Sequence, residues 1–235
     1  HNCLVGSEMC IRDRINNVKT FASVLMPGVQ HMRHTHLADH KFVKGQPDTG
    51  VEMAEDLERI AMNFGGENIA ACIVEPIAGS TGTLVPPKGY LKRIREICDK
   101  HGILLIFDEV ITGWGRTGSA FASQEFGVTP DMITMAKATT NGVIPMGVVA
   151  VKEEMYDAVL DSSKNPEGTP ELFHGYTYSG IPAAVAAGLA VQDIFDKEDI
   201  FNRAKEMSPY FQEGLHSLKD LKEIVSIRGY GMMGG

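Results

Sequence analysis

The feature that most constrains the fold of this chain is an alternation of amphipathic helical patterns with short apolar runs from about residue 50 onward. From Val51 to Phe64 apolar residues recur at helical spacing, and the pair Gly65-Gly66 ends that pattern. A second amphipathic helix runs from Tyr90 to Cys98 and is ended by His101-Gly102. Helices that alternate with apolar runs are typical of βα units. The sequence therefore predicts an α/β fold with a mostly parallel sheet and helices on both faces.

Short apolar runs bounded by turn residues are the strand candidates. Such runs suit strands that are covered by helices on both faces. The candidates are Ile69–Val74, Ile103–Phe107, Met132–Ala136 and Val148–Val151. The carboxyl third predicts two helices, Ala183–Ile194 and Phe201–Leu218, followed by a short strand at Ile224–Ile227.

Charge and hydropathy exclude several classes of partner. The formal net charge of the 235 residues is −8, so the field of the protein repels phosphate backbones and anionic membrane surfaces. The longest nearly apolar stretch, Ile181–Val191, is shorter than the roughly 18 residues of a membrane span. Cys72 and Cys98 lie inside apolar patterns and no CxxC pair occurs. We therefore expect a soluble cytoplasmic protein with reduced core thiols and neither nucleic-acid nor membrane partners.

Three polar positions carry the candidate chemistry, because ligands of open α/β sheets collect beyond the carboxyl ends of strands. Asp108-Glu109 follows the strand candidate Ile103–Phe107, and a carboxylate there is interpreted either as a functional group or as a cap for the next turn. Lys137 follows another, as either a solvated loop residue or a lysine that reacts with aldehydes. The segment Gly175–Gly180 is rich in hydroxyl groups and is either an anion contact or a plain turn. A lysine, a carboxylate and a hydroxyl loop are the parts that a pyridoxal phosphate site requires.

Ordered sequence motifs make this interpretation specific. The strings are FDEVITGWGRTG (Phe107–Gly118), PDMITMAK (Pro130–Lys137), NGVIPMG (Asn141–Gly147) and HGYTYSG (His174–Gly180). They resemble the class III, pyridoxal-phosphate-dependent aminotransferases, which have the fold-type I architecture. The upstream strings EPIAGSTG and VPPKGYLKRIREICDKHGILLIFDEV are similar to the branch that transfers amino groups from omega-amino acids or beta-alanine to pyruvate. The resemblance runs from about residue 16 to the end.

The resemblance implies a role for each candidate site residue. Lys137 would hold the cofactor through its aldehyde and later move the substrate proton as general base. Asp108 would pair with the ring nitrogen and keep it protonated, and Val110 would pack on one ring face. Thr177 would bind the cofactor phosphate of the neighbouring subunit, so the catalytic unit would be a homodimer. Glu75 fits a structural carboxylate better than a catalytic one.

The implied reaction is transamination of an omega-amino acid or amine with pyruvate as amino acceptor. Two alternatives remain open at this stage: an aminomutase of the glutamate-1-semialdehyde type, and a truncated chain without turnover. Pyruvate-dependent formation of alanine favours the transaminase, whereas isomerisation without an added acceptor favours the aminomutase.

Four positions depart from the pattern of the relatives. Ala138 and Trp114 stand where Gly and Phe are usual, which adds a Cβ beside Lys137 and a larger aromatic ring. Ile181 replaces a common His or Asn, and Ser80 occupies a position where ornithine- and GABA-type relatives carry Glu. The last difference argues against those two branches.

The expected organisation is that of an internal piece of a longer protein. Residues 1–14 are interpreted as a possible non-native leader, or else as an ordinary internal segment. Residues 15–222 would form part of the large cofactor-binding domain, and residues 223–235 the start of a small carboxyl-terminal domain. The family's phosphate loop would precede this chain, so we expect the isolated chain to have little or no transaminase activity.

A cluster of histidines at His31, His34, His36 and His40 suggests a metal site by its density alone. Zinc sites usually have closer carboxylate or cysteine ligands and supporting hydrogen bonds, and the relatives carry a similar HTH string without metal. We therefore expect no metal.

Overall fold

The computed structural model describes residues 28–162 and 175–235; the candidate leader at residues 1–14 lies outside them. The main sheet has four strands in the order β1, β2, β3, β4, where β1 to β3 are parallel and β4 is antiparallel to β3. The strands are β1 Ala71–Val74, β2 Leu104–Asp108, β3 Met132–Met135 and β4 Val148–Val151. The predicted α/β fold with a mostly parallel sheet is confirmed. Asp108 is the last residue of β2 rather than the first residue after it.

The helices at 55–64, 90–101, 182–197 and 200–216 follow the predicted patterns, whereas those at 122–125 and 153–162 were not predicted. Their bounds are α1 Glu55–Phe64, α2 Tyr90–His101, α3 Ala122–Glu125, α4 Glu153–Ser162, α5 Pro182–Lys197 and α6 Ile200–His216. A 3-10 turn, Val51–Ala54, leads into α1, and another, Ser217–Asp220, follows α6. Within the described ranges, no helix is both long and apolar enough to cross a membrane.

The core of the described residues lies between β2 and the pair α1 and α2. Leu105 and Phe107 of β2 are fully buried, and they share one cluster with Ile94 and Ile97 of α2. Alternation along the strand directs these two β2 side chains to the same face of the sheet. The burial of large apolar side chains here is the main force that fixes the strand from which Asp108 emerges.

The other face of the sheet carries the polar residues of interest. Asp108 alternates with Phe107 and therefore belongs to the opposite face, where it is paired in register with Thr134 of β3. On this face the apolar side chains of Ile73 and Val149 are 43% and 60% exposed. The sheet is thus packed against helices on one side and more open on the side of Asp108, among the residues that the structure describes.

One carboxylate holds the start of β3 against β2. Asp131 Oδ2 accepts hydrogen bonds of 2.7 Å from the Leu105 amide and from Arg95, and its Oδ1 accepts one of 2.7 Å from Lys152. Burial alone would raise the pKa of Asp131, but these hydrogen bonds and the charge of Arg95 outweigh it and lower the pKa to about 2. Asp131 therefore joins residues of α2, β2 and the segment after β4.

The predicted strand at Ile224–Ile227 is wrong. These residues are irregular, and the strands near the end of the chain are β5 Gly229–Tyr230 and β6 Met233–Gly234, which form a hairpin. Ile227 is buried, but its amide donates to the carbonyl of Lys41 in a loop, so the apolar run finds a burial site without a strand ladder. At the turn Gly231 has φ +58°, and a Cβ there would collide with the Arg116 carbonyl.

Candidate active site

Asp108 is a buried carboxylate whose orientation is fixed by two hydrogen bonds. Its Oδ1 accepts a hydrogen bond of 3.0 Å from the amide of Val110 and one of 3.3 Å from Oγ1 of Thr134. The residue is only 6% exposed, and this burial raises its pKa above the ordinary value of an aspartate. The two hydrogen bonds and the charge of Lys137 act in the opposite direction. Asp108 is therefore a carboxylate held in a low-dielectric site near one cation.

Lys137 begins a 3-10 turn, Lys137–Thr139, directly beyond the end of β3. Its φ of +49° is in the left-handed region, which costs a non-glycine residue conformational energy and is common where a functional site constrains the backbone. The amide of Thr139 donates to the carbonyl of Ala136, which turns the chain sharply at the lysine. Because β2 and β3 are parallel neighbours, Asp108 and Lys137 meet at the same edge of the sheet.

Glu109 has a different role from its neighbour Asp108. It is fully buried, and its carboxylate accepts hydrogen bonds from the amides of Ala122, at 2.6 Å, and Ser123, at 2.8 Å, and from the hydroxyl of Thr112. Burial raises the pKa of Glu109 against these hydrogen bonds. The sequence left open whether Asp108-Glu109 is functional or a cap. In the structure Glu109 holds the amino end of α3, whereas Asp108 lies beside Lys137.

The other predicted site residues differ in how they are connected to Asp108 and Lys137. Val110 is half-buried and is linked to Asp108 through its amide, whereas Thr177 lies in an exposed turn before α5. Among the described residues no hydrogen bond or ion pair joins Thr177 to Asp108 or Lys137. Glu75 accepts a hydrogen bond of 2.9 Å from the amide of Gly79, in agreement with a structural carboxylate.

The hydroxyl-rich loop contains a turn stabilised by its own side chain. The amide of Tyr176 donates to Oγ of Ser179, and the amide of Ser179 donates to the carbonyl of Tyr176, each at 2.9 Å. Ile181 then precedes α5, with Pro182 as the first helical residue, where its missing N–H costs nothing. The loop therefore presents Thr177 on a defined turn at the start of a helix.

Two departures from the family pattern, Trp114 and Ala138, lie in one apolar cluster beside the lysine. The indole N–H of Trp114 donates a hydrogen bond of 3.0 Å to Oγ1 of Thr139. The Trp114 ring is stacked on Phe195 with ring centroids 5.8 Å apart, and Ala138 packs with Phe195 in the same buried cluster. Ala138 has no positive φ, so its Cβ is accommodated without left-handed strain. The strain lies at Lys137 itself.

Thr134 is the residue of this site that sequence analysis missed. Its signal was a lone hydroxyl residue inside the apolar run Met132–Ala136. Only the register of β2 against β3 shows that this residue stands opposite Asp108.

The histidine cluster is engaged in local hydrogen bonds. Nδ1 of His40 accepts from the amide of Leu37, its Nε2 lies 3.1 Å from Oγ1 of Thr49, and Nδ1 of His34 accepts from the amide of His36. Over residues 28–162 and 175–235, no group of three or more His, Cys, Asp or Glu side chains is arranged to hold a metal ion.

Comparison with known proteins identifies the family. Residues 8–235 match the model of the class III aminotransferases. The chain is 53% identical over 212 residues to an omega-aminotransferase of Caulobacter vibrioides, covering 90% of this chain and 48% of that protein. It is 48% identical over 210 residues to an omega-amino acid–pyruvate aminotransferase of Pseudomonas putida, covering 89% of this chain and 46% of that protein.

A solved structure agrees with these relatives. The (S)-enantioselective omega-transaminase from Thermomicrobium roseum has 36% identity and a TM-score of 0.79, over 93% of this chain and 48% of that one. The chain belongs to the class III aminotransferases, a pyridoxal-phosphate-dependent family with the fold-type I architecture. It spans about half the length of the curated relatives it matches.

The residues at the end of β2 and β3 fit this cofactor. Both hydrogen bonds that the described residues donate to the Asp108 carboxylate end on Oδ1, so Oδ2 can accept one from a protonated ring nitrogen. Lys137 is exposed and supplies the amine that an aldehyde requires. The fit therefore rests on a carboxylate and an amine that two adjacent strands bring to one edge of the sheet.

Proposed function

We propose that the protein transfers an amino group from an omega-amino acid or amine to pyruvate, with pyridoxal phosphate held by Asp108 and Lys137. The observation that carries the proposal is the buried Asp108 at the end of β2, with the charge of Lys137 acting on it from the end of β3. The names of the relatives from Pseudomonas, which act on omega-amino acids or beta-alanine with pyruvate, support the choice of substrates.

The chemistry divides between the cofactor and the chain. When bound, pyridoxal phosphate supplies an electron sink for the electron pair released at the carbon that bears the amino group. Asp108 would keep the ring nitrogen protonated through its negative charge, which a neutral residue in its place would not do. Lys137 Nζ would take the proton from the substrate carbon and pass it to the aldehyde carbon of the cofactor, and in the return half of the reaction it would move a proton in the opposite sense. Val110 would pack against the cofactor ring.

The partner arrangement is part of the same proposal. Thr177 is exposed on a turn, and among the described residues it makes no hydrogen bond to Asp108 or Lys137. This placement supports a contact with the cofactor phosphate of a second subunit, and hence a homodimer as the catalytic unit. We also place the reaction in the cytoplasm, on the basis of the free core thiols Cys72 and Cys98.

The test is an assay of alanine formation with pyridoxal phosphate, pyruvate and β-alanine or putrescine as donor. It is run on the 235-residue chain and on the longest open reading frame that contains it, since we expect the chain alone to have little activity. The proposal predicts pyruvate-dependent alanine from the longer product and its loss in Lys137→Ala, while Lys92→Ala on the exposed side of α2 retains it. Isomerisation of glutamate-1-semialdehyde without an acceptor would contradict it and support an aminomutase.

A further inference from the structure

Asp108 is held by Thr134, a residue of the motif PDMITMAK to which the sequence analysis gave no role. Thr134 stands directly opposite Asp108 in the parallel pair β2–β3, on the same face of the sheet. Its Oγ1 donates to Asp108 Oδ1 over 3.3 Å. The amide of Val110 donates to the same oxygen over 3.0 Å.

Two donors on one oxygen define the rotation of the carboxylate. With Oδ1 held from the neighbouring strand and from the chain two residues ahead, Oδ2 has one available direction. In the described part of the chain both hydrogen bonds to the carboxylate end on Oδ1, and the residue as a whole is only 6% exposed. With Oδ1 engaged twice, Oδ2 is the carboxylate oxygen that can accept a hydrogen bond from a ligand.

We propose that Thr134 is a positioning residue that orients Asp108, so that Oδ2 is presented to the protonated ring nitrogen of pyridoxal phosphate. The inference rests on the proposed function, because it needs the cofactor ring at Asp108. A hydroxyl at this position is required for the role, whereas the β-branched shape of the side chain serves only the strand.

The hydroxyl also affects the charge of Asp108. Burial raises the pKa of Asp108, and the hydrogen bonds from Val110 and Thr134 and the charge of Lys137 lower it. The backbone donor and the lysine remain when Thr134 is replaced, so the loss of one hydroxyl should move the pKa of Asp108 further upward. This shift is measurable without any cofactor.

The experiment compares Thr134→Val, which keeps the branched shape, with Thr134→Ser, which keeps the hydroxyl. The matched control is Thr81→Val, which removes a hydroxyl whose hydrogen bond among the described residues goes to the nearby carbonyl of Ala78. The pKa of Asp108 is read by NMR in 13C-aspartate-labelled protein and assigned with Asp108→Asn. Cofactor dissociation constants are read from the near-ultraviolet and visible absorbance of added pyridoxal phosphate.

We expect Thr134→Val to raise the pKa of Asp108 and to weaken cofactor binding by about three- to tenfold, since one hydrogen bond to a charged group is lost. Thr134→Ser and Thr81→Val should stay within about twofold of the unmodified protein. If Thr134→Val does not fold, the test rests on Thr134→Ser. A raised pKa of Asp108 and weaker cofactor binding in Thr134→Ser would overturn the proposal, whereas an unchanged pKa and an unchanged affinity would support it. An unchanged pKa and affinity in a folded Thr134→Val also overturn it.

The outcomes separate this inference from the proposed function. If Asp108→Asn binds pyridoxal phosphate as tightly as the unmodified chain, the proposed cofactor site fails. If Asp108→Asn weakens binding and Thr134→Val does not, only the role of Thr134 fails.

Discussion

The indole N–H of Trp114 donates to Oγ1 of Thr139 over 3.0 Å, and this contact ties the segment after Asp108 to the turn that begins at Lys137. The hydroxyl of Thr139 in turn donates to the carbonyl of Ala136, the residue directly after β3. The hydrogen bonds therefore connect the two chain segments that follow the proposed site residues.

Replacing Trp114 tests this connection. In Trp114→Phe the ring stacking on Phe195 is largely kept, while Thr139 loses a donor. We expect a loss of about 1 kcal/mol in the free energy of unfolding, since one partly buried hydrogen bond is removed. A double-mutant cycle with Thr139→Val, measured by urea denaturation, should give a coupling energy of about 0.5–1.5 kcal/mol. Additive effects of the two substitutions would show that the contact contributes nothing.

Glu109 is expected to act as a structural cap. Glu109→Ala leaves the amides of Ala122 and Ser123 without an acceptor and should cost about 2 kcal/mol of stability. Burial raises the pKa of Glu109, so the protonated form of this side chain favours the folded state. The contribution of Glu109 to the free energy of unfolding is therefore complete below pH 4.5 and declines as the pH rises through the raised pKa. The difference in free energy of unfolding between the unmodified protein and Glu109→Ala, measured by urea denaturation, should therefore shrink above pH 4.5. Glu154→Ala, an exposed residue of α4, serves as the control with no such pH dependence.

Asp131 should show the opposite pH dependence. Its pKa of about 2 lies below the ordinary 3.8, so its contribution is fully present above pH 3.8 and is lost as pH falls toward 2. We expect Asp131→Asn to cost about 2 kcal/mol at neutral pH, from the size of this shift and the loss of charge toward Arg95 and Lys152. The difference in free energy of unfolding between the unmodified protein and Asp131→Asn should narrow between pH 4 and pH 2, as measured by chemical denaturation followed by circular dichroism.

The control for Asp131 is Asp193→Asn. Asp193 pairs with Lys197 one turn later on α5, and both side chains are more than two-thirds exposed. Such a surface pair should contribute less than about 0.5 kcal/mol. An equal effect of both substitutions would contradict the role given to Asp131.

Local sequence patterns predicted most helices and strands of this fold, but they did not predict which residues of neighbouring strands stand opposite each other. The end of α2 before Gly102 follows from a glycine that adopts φ +69°, and the strands that end near Asp108 and Lys137 follow from short, largely apolar runs. By contrast, the position of Thr134 opposite Asp108 depends on strand register, which is set by contacts distant in sequence.

Tertiary contacts also explain the other differences. The irregular segment at 224–228 is apolar enough for a strand, but its neighbour in space is the loop of Lys41. The role of Glu109 could not be separated from that of Asp108 because the donors of Glu109, Ala122 and Ser123, lie 13 and 14 residues away. Such contacts leave no local periodicity in the sequence.

The central claim is that Lys137 is the lysine that carries the cofactor. The direct measurement is to add pyridoxal phosphate to the chain, reduce with borohydride, digest, and quantify the modified lysines by mass spectrometry. We predict labelling of Lys137 at about ten times the level of the exposed Lys92, a ratio that corresponds to about 1.4 kcal/mol of preference. Asp108→Asn should reduce that ratio. Labelling of Lys137 no greater than that of Lys92, or concentrated on another lysine, would contradict the account.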